Sequence, residues 1–198
     1  DGGSDPFLDR CGAIRMTESA QAFNRLLDVA THARRTAKGL PSQIDIKPQW
    51  SGIGFVMFGR RFVAPIGEVT EMLEMPHYTQ LPGVQGWIRG LANIRGRLLP
   101  LTDLPAFFGG RLEAPRRNRR VLVVESDDIY SGLLVDGILG MQHFPVDSYV
   151  AEMAGIESQD MVPFLQGSFR EENGQDWVVF SPWLLVRDEK FFQAALAG

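Results

Sequence analysis

The chain has 198 residues, of which 44% are hydrophobic and 22% charged, and its net charge is −4. These proportions are ordinary for one globular domain or two small fused lobes, and an acidic chain has no general positive field to attract nucleic acid or an anionic membrane. The single cysteine, Cys11, excludes an internal disulfide, and no apolar run approaches the roughly 20 residues of a membrane span, so we expect a cytoplasmic protein.

The first part of the chain predicts a lead segment followed by one helix. Residues Asp1–Arg15 are rich in Gly, Ser and Asp and lack periodicity, so we predict an expression remnant or a disordered lead at 1–15. Ser19–Lys38 is predicted to be an amphipathic helix, which either packs on its own domain or docks on a partner. Residues 16–49 then comprise this helix and a polar connector, ahead of a domain at 50–198. The apolar stripe of the helix is Phe23, Leu26, Leu27, Ala30, Ala33 and Ala37.

Between Gly52 and Glu74 the sequence predicts short strands, because brief β-rich runs are separated by Gly and Pro. Short strands separated by glycine and proline in this way are typical of a small barrel or sandwich. Pro76–Pro82 is predicted to be a loop, and its His77 has no second ligand at a metal-binding spacing. The predicted strands are Ile53–Phe58, Arg61–Ala64 and Ile66–Leu73.

The stretch Gly83–Gly109 predicts a hairpin followed by a helical turn. The apolar runs Leu91–Ile94 and Leu98–Leu101 flank Arg95-Gly96-Arg97, and glycine supplies the positive φ that a tight turn needs. Thr102 and Asp103 can then cap the helical turn. From these residues alone, the simplest interpretation is a surface turn with solvated arginines.

The segment Arg111–Arg120 contains five arginines and one glutamate. We interpret it as a solvated linker between two lobes, near residues 110–120. Its charge leaves two other interpretations open, an acidic partner surface and a nucleic-acid patch. The second is the weaker of these, because the run is short and has no interleaved aromatic residues.

The remaining chain predicts more strands and a C-terminal helix. Pro145–Val162 is predicted to be a long excursion between strands. Ser181 can cap the last helix with Pro182 at its first position, and a break is predicted near Arg187. The predicted strands are Val121–Val124, Tyr130–Val135, Ile138–Phe144, Phe164–Arg170 and Trp177–Phe180. The predicted buried side of the helix is Leu184, Leu185, Phe191, Phe192, Ala195 and Leu196.

Several of these motifs resemble one family. The run Gly90–Gly96, followed by Leu99–Leu104, is similar to the central motif of CheW-like chemotaxis coupling proteins. Ile66–Met72 is similar to the family's strand ending in V-x-E, and Gly132–Ile138 to its G-[LI]-x-V-D-x-[VI] segment. An N-terminal helix, Trp87 after Gly86, and the run Met141–Pro145 resemble the branch that controls twitching motility by type IV pili. The resemblance extends from about Gly52 to about Leu185.

The resemblance implies a mainly β fold of two small SH3-like five-stranded β-barrel lobes side by side, with an N-terminal and a C-terminal helix. The faint repeat of Ile66–Met72 in Val135–Met141 agrees with two similar lobes. It also implies a non-enzymatic adaptor without a cofactor or metal, with no nucleic acid and no direct membrane insertion. Its implied partners are the regulatory domain of a CheA-like histidine kinase and the tip of a methyl-accepting chemoreceptor.

The resemblance further implies which residues contact the partners. Arg95 is the first choice, since a guanidinium beside a glycine turn can make directional contacts. For the apolar residues, core packing is an equal alternative. The implied partner-binding residues are Arg95, Glu71, Val69, Gly90, Asn93, Gly96, Leu139 and Met141.

No catalytic site is predicted. Asp136, His143 and Asp147 group two acids with a histidine in the sequence, and no Ser or Cys lies beside them in a nucleophile elbow. The competing hypothesis is a small-barrel nucleic-acid-binding module that uses Arg111–Arg120. Binding with steep salt dependence would favour that hypothesis, and capture of a kinase regulatory domain would favour the adaptor.

Overall fold

A computed structural model of the protein describes residues 48–126, 129–151, 158–171 and 174–193. The predictions for residues 1–15 and for the helix Ser19–Lys38 lie outside these ranges, as do those for Ala195 and Leu196. Within them the protein is mainly β, and its strands form two six-stranded sheets. We call these sheets lobe 1 and lobe 2 and number the strands along the chain.

Lobe 1 is built from the two ends of the described chain, in the order β10-β11-β12-β2-β1-β9. Its β2 and β12 are parallel, and its other neighbouring strands are antiparallel. The strands are β1 (Gln49–Met57), β2 (Arg60–Pro65), β9 (Gly137–Pro145), β10 (Tyr149–Val150), β11 (Leu165–Arg170) and β12 (Asp176–Phe180).

Lobe 2 is built from the consecutive strands between β2 and β9, in the order β3-β7-β8-β6-β5-β4. Here β6 and β8 are parallel, so both lobes contain one parallel pair at the same place in the order. The strands are β3 (Glu71–Glu74), β4 (Tyr78–Thr79), β5 (Ile88–Ile94), β6 (Arg97–Asp103), β7 (Arg120–Ser126) and β8 (Ile129–Val135).

The lobes repeat one pairing pattern, and the faint sequence repeat follows it. Each lobe has one edge strand, β3 in lobe 2 and β9 in lobe 1, that immediately follows a crossing of the chain between the lobes. Met72 in β3 lies opposite Leu122, and Met141 in β9 lies opposite Ile53. Leu122 and Ile53 both lie four residues before the end of the first strand of their hairpins. The two methionines therefore occupy corresponding positions.

The first crossing corrects one strand prediction. Residues Ile66–Glu68 form a 3-10 helix, so the strand predicted at Ile66–Leu73 is wrong over its first half. The carboxylate of Glu68 is buried and accepts hydrogen bonds from Ser181 Oγ at 2.7 Å and from the backbone N–H of Trp183 at 3.0 Å. A buried acid that binds a segment more than 100 residues away leaves no trace in local periodicity.

The central strands bury both of their faces. In lobe 2, Val121 and Val123 point into the lobe interior, whereas Leu122 and Val124 join a core that also contains lobe 1 residues. In lobe 1, Phe62 joins that same core and its neighbour Val63 points into the lobe. Successive side chains on a strand face opposite sides, so each strand serves two cores. The lobes consequently pack through a large shared apolar core.

Three further predictions need correction. Each sheet has six strands rather than five, because the two-residue strands β4 and β10 each form an additional edge strand. Tyr78, predicted to lie in a loop, is part of β4. The segment Arg111–Arg120, predicted to link the lobes, instead leads from the helix α1 (Leu104–Phe107) to β7, within lobe 2. It is also folded onto the lobe, since its Leu112 is buried in the lobe 2 core.

The C-terminal part contains two short helices, α2 (Pro182–Val186) and α3 (Glu189–Phe192), separated at Arg187. Ser181 Oγ accepts the backbone N–H of Leu184 at 3.3 Å and caps α2. The predicted burial of Leu184 and Phe192 is wrong, because their exposed fractions are 43% and 60%. Because the helix breaks at Arg187, the residues on either side of the break need not share the single apolar stripe that the prediction assumed.

Candidate functional site

The hairpin between β5 and β6 closes in a turn that is left-handed at two positions. The φ of Arg95 is 52° and that of Gly96 is 85°, and the closing pair is Ile94 and Arg97. Two successive positive φ values are the mark of a type I′ turn, which matches the twist of the flanking strands. Asn93 Oδ1 accepts the N–H of Gly96 at 2.8 Å. The turn thus holds Arg95 at the hairpin tip, where its side chain is 79% exposed.

Arg95 forms an ion pair with Glu71 that spans the curled sheet. The Nη2–Oε1 distance is 2.6 Å and the Nη1–Oε2 distance is 3.5 Å. Glu71 lies in the edge strand β3, and the β5–β6 hairpin lies near the other edge, so the sheet must curl to bring them together. An ion pair this exposed contributes at most about 1 kcal/mol to stability. Its main effect is to orient the guanidinium.

Two further arginines of this hairpin each form an ion pair with an acidic residue. Arg97 Nη2 lies 2.9 Å from Glu125 Oε1, and its guanidinium is 3.9 Å from the ring centroid of Tyr130. The hydrogen bond with Glu125 raises the pKa of Arg97 above its ordinary value. Arg89 donates to the buried Asp103 from Nε at 2.9 Å and also from Nη2. The turn arginine is the most exposed of the three.

Asp103 also caps α1, as its predicted role requires, by accepting the N–H of Ala106 at 2.9 Å. Sequence reasoning missed the pairs of Arg89 and Arg97, because their acids lie 14 and 28 positions away on other strands. No local pattern relates residues at such separations before the sheet register is known.

The two predicted glycines of the motif are required for different structural reasons. At Gly90, where φ is 138°, a Cβ would lie only 2.0 Å from the carbonyl oxygen of Thr79. The absence of a side chain at Gly90 therefore allows β4 to pair closely with β5, the strand that leads to the Arg95 turn. At Gly96 an added Cβ would meet no heavy atom within 4 Å, so only the positive φ calls for glycine there.

The apolar site residues are divided between the lobes. Val69 is half-buried and packs against the shared core, which favours the packing alternative for this residue. Leu139 and Met141 lie on the edge strand β9 of lobe 1, with exposed fractions of 43% and 52%. The structure therefore places the predicted residues in two groups, one at the Arg95 turn and one on the β9 edge.

Two exposed apolar residues were missed by the sequence analysis. Met72, on the edge strand β3, is 46% exposed and corresponds in register to Met141. The repeat of Ile66–Met72 in Val135–Met141 already aligned these two methionines and was the signal that could have identified Met72. Leu98, next to the Arg95 turn, is 63% exposed.

Among the described residues, the side chains that could bind a metal are not clustered. No group of three His, Cys, Asp or Glu side chains in this part of the chain is placed to hold a metal. His143 Nδ1 lies 2.7 Å from Ser51 Oγ, and the two residues face each other across β1 and β9 in an exposed cross-strand pair. In the same ranges, no helix is both long enough and apolar enough to span a bilayer.

Comparison with known proteins gives a family match over residues 51–190, described as a CheW-like domain. The chain is 49% identical to protein PilI of Pseudomonas aeruginosa, over 91% of this chain and all of that protein. It is 28% identical to the chemotaxis protein CheW of Helicobacter pylori, over 57% of this chain and 68% of that protein. It is 29% identical to protein FrzA of Myxococcus xanthus, over 50% of this chain and 62% of that protein.

A solved structure shows the same fold. It is the scaffolding protein TtCheW from Thermoanaerobacter tengcongensis, with a TM-score of 0.61 and 19% identity. The alignment covers 72% of this chain and 96% of that one. At this identity the likeness concerns the fold alone. The family match, by contrast, spans well over half of the chain, and the likeness to PilI spans nearly all of it, so this chain belongs to the CheW-like family.

Proposed function

We propose that this protein is a non-enzymatic adaptor that couples chemoreceptors to a CheA-like histidine kinase, in a chemosensory system that controls twitching motility by type IV pili. CheW-like proteins are scaffolds rather than enzymes, and the extended likeness to PilI supports the pilus branch. In this proposal the adaptor acts in the cytoplasm. Each of its two lobes is an SH3-like barrel. Its direct contacts are with the regulatory domain of the kinase and with the tip of a methyl-accepting receptor.

The observation that carries the proposal is the exposed, oriented guanidinium of Arg95. A guanidinium has five donors in a fixed plane, and Glu71 engages only part of them. Because the ion pair is already in water, a partner carboxylate or carbonyl can join or replace Glu71 at a small desolvation cost. A rigid turn then reduces the entropy lost on binding.

An adaptor needs two separate surfaces, and the two lobes supply them. We assign one surface to the Arg95 turn, with Glu71, Val69, Gly90, Asn93 and Gly96 contacting the partner or shaping the turn. We assign the other to the β9 edge, where Leu139 and Met141 are exposed. The shared apolar core joins the lobes stiffly, so occupation of one surface can be linked energetically to the other.

The test is the charge reversal Arg95→Glu. Isothermal titration calorimetry measures binding of the purified variant to the kinase regulatory domain and to a receptor-tip fragment. We expect binding to one of these partners to be lost, while the cooperative thermal transition survives, because the ion pair contributes so little stability. Arg61→Glu is the matched control, since Arg61 is an exposed arginine of lobe 1.

Two results would contradict the proposal. One is unchanged affinity of the Arg95 variant for both partners, and the other is loss of its cooperative melt. The nucleic-acid alternative receives no support from the relatives compared above. Tight, salt-sensitive binding to an oligonucleotide without binding to either protein partner would revive it.

A further inference from the structure

The charge of this protein is unevenly distributed. Residues 111–120 carry five arginines and one glutamate, a net charge of +4, whereas the chain as a whole has a net charge of −4. The other residues therefore sum to −8. A local concentration of positive charge within an acidic protein produces a confined field, which selects an acidic ligand small enough to remain within it.

This segment has a fixed shape. The backbone N–H groups of Glu113 and Ala114 both donate to Asp136 Oδ1 at 2.7 Å. Arg119 Nε donates to the carbonyl of Ala114 at 2.8 Å, and Arg120 Nη1 donates to the carbonyl of Arg117 at 2.8 Å. Two of the arginines thus fold the loop itself, and its backbone has a fixed course before any ligand arrives.

The loop forms one wall of an open cavity of about 490 Å³, whose other wall is the end of β3. Among the described residues, neither Arg116 nor Arg117 forms an ion pair, and Arg116 lies 5.8 Å from the ring centroid of Tyr78. The single acid at the rim, Glu74, is 3.8 Å from Arg120, and its side chain is 88% exposed. The positive charge of the cavity is therefore poorly compensated. The lining residues are Glu74, Met75, Arg116, Arg117 and Arg120.

We propose that this cavity binds an acidic peptide segment of a partner protein, with carboxylates paired to Arg116 and Arg117. The planar guanidinium matches a carboxylate in two-pronged geometry. Among the lining residues there is no aromatic ring on which a base could stack, the nearby Tyr78 ring is 5.8 Å from Arg116, and the surrounding acidic chain repels an extended phosphate backbone. A peptide therefore fits better than a nucleic acid.

This surface goes beyond the proposed function, because it is separate from the Arg95 turn. Glu71, which pairs with Arg95, and Glu74, which lines the cavity, are three residues apart on β3, or about 10 Å along the strand. The cavity thus offers a third contact region, and its failure in a test would leave the adaptor proposal untouched.

The test uses the full chain and a fluorescein-labelled hexaglutamate peptide, with binding followed by fluorescence anisotropy at about 50 mM and about 150 mM salt. We expect binding that weakens as salt rises, and a loss of roughly tenfold or more in the double variant Arg116→Glu, Arg117→Glu. Arg111→Glu, an exposed change in the same segment outside the cavity, should weaken binding at about 150 mM salt by clearly less than the double variant does. Glu74→Gln should tighten binding by roughly two- to fivefold.

The proposal is overturned if hexaglutamate does not bind at low salt, or if Arg111→Glu weakens binding as much as the double variant. It is also overturned if a dodecamer of thymidylate binds more tightly than hexaglutamate. Circular dichroism melts check that each variant folds, and the single change Arg117→Glu replaces the double variant if that one does not. At about 150 mM salt, where screening is stronger, Arg95→Glu should weaken hexaglutamate binding by less than about twofold, which separates this test from that of the proposed function.

Discussion

Replacing Gly90 with alanine should unfold the edge of lobe 2 beneath the Arg95 turn. The φ of Gly90 is 138°, a region that alanine rarely adopts, and the added Cβ would lie 2.0 Å from the carbonyl oxygen of Thr79. The obstacle is backbone, so no side-chain rotation relieves the clash. Either β4 must leave β5, or the backbone at residue 90 must change its conformation.

The expected loss in the free energy of unfolding is the sum of the backbone strain and the lost strand pairing. Backbone strain at a sparsely populated φ costs about 1–3 kcal/mol. Separation of β4 from β5 removes the pairing of Tyr78 with Ala92 and of Thr79 with Leu91. A pairing this short holds roughly two ladder hydrogen bonds, each contributing about 0.5–1.5 kcal/mol. The free energy of unfolding should therefore fall by about 2–6 kcal/mol, a large fraction of the 5–15 kcal/mol typical of a domain.

Urea unfolding followed by tryptophan fluorescence measures this loss. Gly86→Ala is the matched control, because Gly86 has no positive φ and an added Cβ meets nothing within 4 Å. Gly167→Ala tests the corresponding position of lobe 1, where φ is 111° and a Cβ would lie 2.8 Å from the carbonyl oxygen of Val150. A loss below about 1 kcal/mol for Gly90→Ala, similar to ordinary surface changes, would refute the reasoning.

Three further predictions concern single side chains. Asp103→Ala removes a buried carboxylate that caps α1 and binds Arg89, so urea unfolding should show a loss of about 2–4 kcal/mol; a loss under about 1 kcal/mol would contradict this. The hydrogen bond from Arg170 lowers the pKa of Asp176, so this pair stabilises the fold above the ordinary aspartate pKa and loses that effect as pH falls below it. Arg170→Ala should therefore raise the Asp176 pKa in an NMR titration, and an unchanged pKa would refute the assignment. Phe192→Ala, at a largely exposed side chain, should change stability by less than about 1 kcal/mol in the same urea assay.

The sequence predicted most strands because alternation and turn residues are local signals. The turn at Arg95-Gly96, the strand Val121–Val124 and the cap at Ser181 all follow from neighbouring residues, and the structure contains each of them. The 3-10 helix at Ile66–Glu68 did not follow, because its Glu68 is held by distant Ser181. The position of Arg111–Arg120 within one lobe depends on strand order, which local patterns do not encode.

The features of the candidate site also fall into those that local sequence predicts and those that depend on strand packing. Neighbouring residues alone indicate that Arg95 stands in a tight glycine turn, and the motif around it indicates the family. The folded chain was needed to show that Glu71 orients Arg95, that Val69 packs inward, and that Met72 is exposed in register with Met141. The physical reason is that turn geometry depends on the φ preferences of adjacent residues, whereas ion pairs and burial depend on which strands the curled sheets bring together.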